Sequence, residues 1–349
     1  MASLKKRLII CGFGNVGRAF ARLVAERCRL VEERYGLKLE LTAVVDIGGA
    51  AVSNHDALPV DELLFHVGSG GSVETIERYG HPGLSFKELL SQVKADVLVE
   101  TTPTNLSDGE PGRSHMLAAL ENKMDIVSAN KGPLVLYYKE ILNLAKAQAC
   151  KIYMSAATAA ALPTLDVGLI CLAGADVLSI EGILNGTTNY ILTRMHLEKC
   201  TYETALKDAQ QMGIAETDPT LDVEGFDTRN KLVLIVNRVL NKNIGLSDVE
   251  VTGISGVTID DIEKTIANGK VLKLIGAAWF EKGELKLRVA PSELDPDHPL
   301  AAVNYSEKAI SYLTDSMGRV TVSGGKSSPL GAAAALLKDL INLARFGGL

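Results

Sequence analysis

The sequence predicts an α/β protein: a parallel, doubly wound sheet in the first half, an α+β segment after it, and a last helix that packs back on the first half. Three observations predict this. A glycine turn joins an apolar strand to an amphipathic helix near the start of the sequence. Strand and helix patterns then alternate up to about residue 150, and after that the alternation stops. The expected organisation is residues 1–150, completed by 324–349, as one domain and 151–323 as the other.

The bulk numbers are compatible with that. A chain of 349 residues exceeds one typical small core. With 47% hydrophobic and 22% charged residues it reads as an ordinary soluble protein. A net charge of -6 leaves no basic footprint for nucleic acid. No apolar run reaches the ~20 residues of a membrane span, and a strand at the very start leaves no room for a signal peptide. A cytoplasmic location is expected. The five cysteines are scattered without a CxxC pair, which points to small core residues in a reduced compartment. The six histidines show no metal-helix spacing.

The first element, "KKRLIICGFGNVGRAFARLVAER", is strand, turn and helix in that order. Gly12, Gly14 and Gly17, with Phe13, Asn15 and Val16 between them, complete GxGxxG. The first glycine permits a tight turn and the second lets backbone approach a pyrophosphate. The third lets helix and strand pack closely, with the helix N-terminus facing the phosphates. This is the Rossmann-type dinucleotide fingerprint in its informative context. The next strand, "LELTAVVDIGG", ends in Asp46, either an acceptor for ribose hydroxyls or an ordinary turn residue. No arginine follows it, which favours NAD over NADP. Residues 52–92 are less legible: "HVGSGGSV" reads as a loop without the lysine of a phosphate loop, and Ser85 with Glu88 reads as a capping box. The pattern resumes with "ADVLVETTPTN", ending at Thr101 and Thr102, a helix, and "DIVSANKG", ending at Asn130 and Lys131. All these strand ends fall where ligands bind in parallel sheets.

In the second half, "ALPTLDVGLICLAG" reads as a buried helix and "DVLSIEGIL" as a strand running into a helix at "NGTTNYIL". "TYETALKDAQQMG" and "DTRNKLVLIVNRVL" are helices, "VLKLIGAAWF" and "ELKLRVAP" a hairpin, and "PLGAAAALLKDLINLAR" the last helix. The segment "GIAETDPTLDVEGFDTRNK" carries Glu216, Asp222, Asp227 and Lys231 at the entrance of an apolar helix that begins near Asp222. Asp227 and Lys231 share a helical face. They form either an exposed ion pair worth ~0.3–0.5 kcal/mol or a site that holds a polar substrate. In a partly dry pocket a lysine exchanges protons more readily, while carboxylates oppose that shift and orient it.

"GFGNVG", "SANKGPL", "GILNGTTNYIL", the run E-x-D-P-x-x-D-x-x-G-x-D-x-x-x-K within residues 216–231, and "AAALLKDL" together resemble homoserine dehydrogenase over essentially the whole chain. The resemblance implies NAD(P)-dependent interconversion of L-homoserine and L-aspartate 4-semialdehyde, a step towards threonine, methionine and isoleucine. It implies Lys231 as catalytic acid/base, oriented by Asp227, which also holds substrate. Glu216, Asp222 and Thr187 are implied around the substrate, and Lys131 as a second catalytic residue that reaches both nicotinamide and substrate and assists proton transfer. It further implies that 151–323 is a catalytic and dimerisation domain, in a homodimer. The cofactor residues it implies are Gly12, Phe13, Gly14, Asn15, Val16, Gly17, Asp46, Thr101, Thr102, Lys131 and Ser328. The sequence ends soon after the last helix, so no regulatory domain is expected behind it.

Two segments depart from the family pattern. Where the family has a glutamate followed by a glycine-rich turn, "SAATAAALP" places Ser155. The backbone carbonyls of Thr158, Ala160 and Leu162 remain as expected ligands of a monovalent cation such as Na+. The turn before the last helix reads "GKSSPLG", which puts Lys326, Ser327 and Ser328 towards the cofactor phosphates. Two other readings stand beside this one. Aspartate-semialdehyde dehydrogenase requires a nucleophilic cysteine, and Cys150 and Cys171 lie in apolar runs. A catalytically silent NAD-binding regulator keeps the fold without turnover.

Overall fold

The apolar segment Leu4–Cys11 becomes β1, the central strand of the first of two sheets in a computed structural model describing residues 3–53, 57–325 and 327–346. Its neighbours are β2 (Leu37–Asp46), β3 (Gly49–Val52), β4 (Gly80–Pro82), β5 (Val97–Glu100), β6 (Asp125–Ser128) and β7 (Ile152–Tyr153). Among the described residues the order is β4-β3-β2-β1-β5-β6-β7. The strands from β2 across β1 to β7 are parallel, and β3 and β4 add an antiparallel edge. Leu8, Ile9, Ile10 and Cys11 are all fully buried, as a parallel strand covered on both faces requires. Because β2 pairs with one edge of β1 and β5 with the other, a crevice opens at the ends of β1 and β5.

The helix Asn15–Tyr35 follows β1 and buries Phe20, Ala21, Val24 and Val31, a helical stripe that faces the sheet. It stops at Gly36, whose φ of +63° lets its N–H return to the Glu32 carbonyl. The last helix, Pro329–Phe346, places Leu336, Leu340 and Leu343 in the same core as Phe20, Val24 and Leu8. It therefore completes the first domain, as the apolar, alanine-rich pattern predicts. By backbone contacts the chain divides into Met1–Ala160 with Ser328–Leu349, and Ala161–Ser327.

The less legible stretch holds more structure than a loop. Val60–Gly68 is a helix, so "HVG" is its last turn, and His66 Nε2 lies 2.9 Å from Thr75 Oγ1. The capping box at Ser85 and Glu88 is present.

The second unit is built on β8 (Val177–Ile183), β9 (Glu250–Val251), β10 (Val271–Glu281), β11 (Glu284–Leu294), β12 (Ala309–Thr314) and β13 (Arg319–Ser323). Their order among the described residues is β13-β12-β8-β10-β11-β9. The predicted hairpin of β10 and β11 turns at Lys282 and Gly283, with φ of +51° and +84°, the left-handed pair that a two-residue turn demands. The helices Gly186–Glu198, Tyr202–Gln211 and Phe226–Val239 follow the sequence pattern, and Leu232 to Val236 of the last are fully buried.

Several expectations are corrected. "ALPTLDVGLICLAG" is not one buried helix but a turn at Thr164–Asp166 running into a wide helical turn at Val167–Cys171, where Cys171 is exposed. The helix expected to begin near Asp222 is interrupted. A short turn, Thr220–Val223, is followed by Gly225 at φ +79°, and the long helix starts only at Phe226. Of the cysteines, Cys11 and Cys150 are core residues, but Cys28 and Cys171 are exposed.

One buried group has no counterpart in the sequence reading. Lys273 on β10 is fully buried, and its Nζ shares its three N–H groups among Asn189 Oδ1 (3.1 Å), Thr193 Oγ1 (3.3 Å), the Val303 carbonyl (2.5 Å) and Asn304 Oδ1 (3.1 Å). It ties β10, the Gly186–Glu198 helix and the 303–305 segment together.

Candidate active site

The glycine turn is held by the ends of β1 and β5. A Cβ on Gly12, whose φ is +88°, would lie 2.6 Å from the Thr102 nitrogen. One on Gly17 would lie 2.1 Å from the Gly12 carbonyl oxygen. Both glycines are therefore demanded by close approach within the fold. Gly14 differs, because a Cβ there would meet nothing within 4 Å. It caps the Asn15–Tyr35 helix, whose first turn carries no acidic residue. Open space before a helix N-terminus, flanked by Phe13, Asn15 and Val16, is what an anionic pyrophosphate fits.

The threonines serve the protein itself. Thr101 Oγ1 donates to the Gly12 carbonyl at 2.6 Å and so closes the turn. Thr102 Oγ1 bonds the Glu100 carboxylate and accepts from Asn130 Nδ2 at 3.0 Å. Glu100 is fully buried, and its other oxygen accepts from His115 Nδ1 at 2.9 Å. Cys11, Glu100 and His115 place ligand-type atoms within 4.8 Å of one another, but the carboxylate is already satisfied by Thr102 and His115. Asn130 caps the Lys131–Leu136 helix through Gly132 N at 3.0 Å, which puts Lys131 at its first position, beyond the end of β6. Asp46 is exposed at the end of β2, and the Gly12 N–H donates to the preceding Val45 carbonyl at 2.8 Å. That bond sets Asp46 beside the glycine turn. Ser328 Oγ accepts from Gly331 N at 3.1 Å at the start of the last helix. Lys326 lies outside the described residues.

The second unit carries a compact polar cluster around Asn185. Its Nδ2 donates to Asp222 Oδ1 at 2.6 Å and to Asp227 Oδ2 at 2.9 Å, while its Oδ1 accepts from Thr188 N at 3.0 Å. Asn185 thereby caps the Gly186–Glu198 helix and gathers both carboxylates. Lys231 Nζ lies 2.5 Å from Asp227 Oδ2 and donates to the Leu184 carbonyl at 2.8 Å. The side chains of Lys231 and Asp227 are each only 14% exposed, so this is not the exposed pair that spacing alone allowed. The interrupted helix explains the geometry. Gly225 lets the chain turn, so that Asp222 from the short turn and Asp227 from the long helix reach one amide. Thr187 is buried, with its Oγ1 donating to the Ile214 carbonyl at 3.1 Å. Glu216 is exposed, outside these contacts, and its backbone carbonyl accepts from Gln210 at 3.2 Å.

Asn185 opens "NGTTNYIL", and its sequence surroundings give it no role beyond the start of a helix. A residue before a helix start is an ordinary cap. Only the fold shows that one amide also bridges two acids 37 and 42 positions away.

A family model described as homoserine dehydrogenase matches residues 163–341, and one described as homoserine dehydrogenase, NAD binding domain, matches residues 12–155. The chain belongs to the homoserine dehydrogenase family. It is 37% identical to the homoserine dehydrogenase of Methanocaldococcus jannaschii, over 96% of this chain and 98% of that one. It is 35% identical to a protein of Pseudomonas canavaninivorans named NAD(+)-dependent homoserine dehydrogenase, over 97% of this chain and 96% of that one. A crystal structure of a putative homoserine dehydrogenase from Archaeoglobus fulgidus is similar with a TM-score of 0.85 and 30% identity, covering 97% and 99% of the two chains. As a homoserine dehydrogenase the chain is an oxidoreductase with an NAD-binding domain. No helix among the described residues is long and apolar enough to cross a membrane. Burial pushes the Cys11, Cys150 and Cys200 thiols up, away from the thiolate form, whereas Cys171 is exposed.

Proposed function

We propose that this chain interconverts L-homoserine and L-aspartate 4-semialdehyde with Lys231 as the proton acceptor and donor, within the biosynthesis of threonine, methionine and isoleucine. The observation that carries the reading is the Asp222–Asn185–Asp227–Lys231 cluster. Two carboxylates and one ammonium sum to one excess negative charge, which suits the α-ammonium of an amino acid. Asp227, fixed by Asn185, orients the lysine. Bound nicotinamide supplies the hydride acceptor. As the neutral amine Lys231 takes the hydroxyl proton in oxidation, and as the ammonium so formed it returns that proton in reduction. Asp222 lies at the cluster and Thr187 close to it in the helix, whereas Glu216, being exposed, takes part at the rim of the substrate site. Lys131 is assigned to the nicotinamide side on its place beyond β6, and the homodimer is tested by light scattering. Turnover of homoserine with NAD and NADP, in wild type and Lys231→Ala, tests the whole reading.

For the cofactor, the open cradle at Gly14 and the acid-free helix start support phosphate binding by the turn, with Thr101 and Thr102 shaping that turn and Ser328 taking the last-helix side. Gly14→Ala is expected to fold like wild type and to bind NAD more weakly. Gly17→Ala is expected to lose stability, since its Cβ meets backbone at 2.1 Å. Thermal melts and NAD titration separate the two. We read the preference as NAD, from the exposed Asp46 carboxylate, which repels a 2′-phosphate. Ile47 beside it is fully exposed. Asp46→Ala with Ile47→Arg is therefore expected to invert the ratio of kcat/KM between the cofactors. An unchanged ratio would remove Asp46 from the assignment. A monovalent cation is not part of this reading, because the residues present do not fit one. Ser155 brings no carboxylate, its amide and hydroxyl are committed to Asp339, and Lys338 sets an ammonium beside them. The Leu162 carbonyl also accepts from Thr164 N at 2.8 Å.

A further inference from the structure

We propose that Lys338 supplies, as a fixed ammonium, the positive charge that the family pattern would draw from an exchangeable monovalent cation near residue 155, so that this enzyme is indifferent to Na+ and K+. The inference rests on the family reading above and deepens it for one site.

The geometry lies within one unit. Ser155 N donates to Asp339 Oδ2 at 2.9 Å, and Ser155 Oγ donates to Asp339 Oδ1 at 2.8 Å. Lys338 Nζ donates to Ser155 Oγ at 2.9 Å and lies 2.9 Å from Asp339 Oδ1. The serine hydroxyl is thus engaged as both donor and acceptor, and each oxygen of Asp339 has a partner. Asp339 is fully buried, so its charge requires compensation nearby. Burial pushes its carboxyl up, and Lys338 and the Ser155 donors pull it back.

Charge counting decides the rest. A glutamate at 155 beside Asp339 would leave a negative surplus for an ion to balance. With serine there, Asp339 and Lys338 cancel. A further cation would stand beside an ammonium with no carboxylate left to it, and like charges at such range repel. The loss of a carboxylate at 155 and the lysine at 338 belong together, although the two positions are 183 apart in the chain. Lys338 is a positioning residue: it neutralises Asp339, which holds the start of the Ser155–Ala159 turn.

The test compares NaCl, KCl and tetramethylammonium chloride at equal ionic strength, reading the thermal midpoint together with kcat and KM. The wild type is expected to give the same values in all three salts. Saturable activation, or a saturable rise in Tm, with Na+ or K+ alone would overturn the proposal. Lys338→Met leaves Asp339 uncompensated, so its Tm is expected to fall and to be restored saturably by Na+ or K+. Lys338→Arg is expected to stay indifferent to the ion. A Lys338→Met protein with unchanged Tm and no ion response also overturns it. Should that variant not fold, the wild type and Lys338→Arg salt series still decide. Because Tm is read without substrate, a failure here is distinct from absence of homoserine turnover, which would sink the catalytic reading instead.

Discussion

Replacing Lys231 with alanine is expected to lower kcat for homoserine oxidation by about 10²–10⁴-fold, the range that a positioned general base contributes, while NAD still binds. The expectation follows from where the ammonium is held. Lys231 is fixed by Asp227 at 2.5 Å and by the Leu184 carbonyl at 2.8 Å, and both contacts orient it without covering it completely. Asp227→Asn keeps a hydrogen-bonding side chain but removes the charge that aims the lysine. Its kcat should fall less than that of Lys231→Ala. Asn185→Ala releases both carboxylates at once, so KM for homoserine should rise alongside a fall in kcat. Initial rates at the reduced-nicotinamide absorbance band, with NAD affinity from calorimetry, separate these effects. If Lys231→Ala keeps its rate to within tenfold, the proton has another acceptor and the assignment fails.

Much of this was legible because the relevant signals are local. GxGxxG between a strand and a helix announces its own geometry, and Gly12 and Gly17 sit in the close approaches that the pattern implies. The period of the last helix likewise announced an apolar face. Asp227 and Lys231 were adjacent on a helix by spacing alone, but spacing does not tell a buried pair from an exposed one. Burial comes from the apolar run that follows and from Gly225, which turns the chain before the helix begins.

Contacts across long chain separations were not legible. Asn185 reads as a helix cap, and its amide bridge depends on where two distant acids fold. Ser155 reads as a missing carboxylate, and nothing near it in sequence points to Lys338 and Asp339. Thr101 and Thr102 look like ligands at strand ends because such ends usually face a cofactor. The Thr101 hydroxyl is spent on the Gly12 carbonyl, a partner that only the pairing of β1 with β5 creates, and the Thr102 hydroxyl on Glu100, two residues before it. Residues 52–92 failed for another reason: short strands and a nine-residue helix carry too few periods to stand out.

Lys273 is the clearest such case, and it predicts a pH signature in stability. Its ammonium is fully buried among neutral oxygens, and burial pushes its pKa from the ordinary 10.5 down to about 8. Between those values the unfolded chain holds the proton and the folded chain does not. Stability therefore rises with pH across the window from about 8 to about 10.5, by about 3 kcal/mol when complete. Lys273→Met removes the titrating group. At neutral pH the sign of its effect is a close contest, since relief of the buried charge offsets acceptors left unpaired on Asn189 and Asn304, each worth ~1–3 kcal/mol. The slope is not a contest. Urea unfolding of both proteins between pH 7 and 9.5 should show wild type gaining about 2 kcal/mol relative to Lys273→Met. Tyr312, whose hydroxyl pKa burial raises, works in the opposite direction at higher pH but is common to both proteins and cancels. Parallel curves would mean that the four oxygens keep the ammonium charged throughout, and that burial of Lys273 carries no net electrostatic cost. A divergence would identify a lysine that the fold retains for the three segments it joins, including the helix capped by Asn185, at the expense of stability near neutral pH.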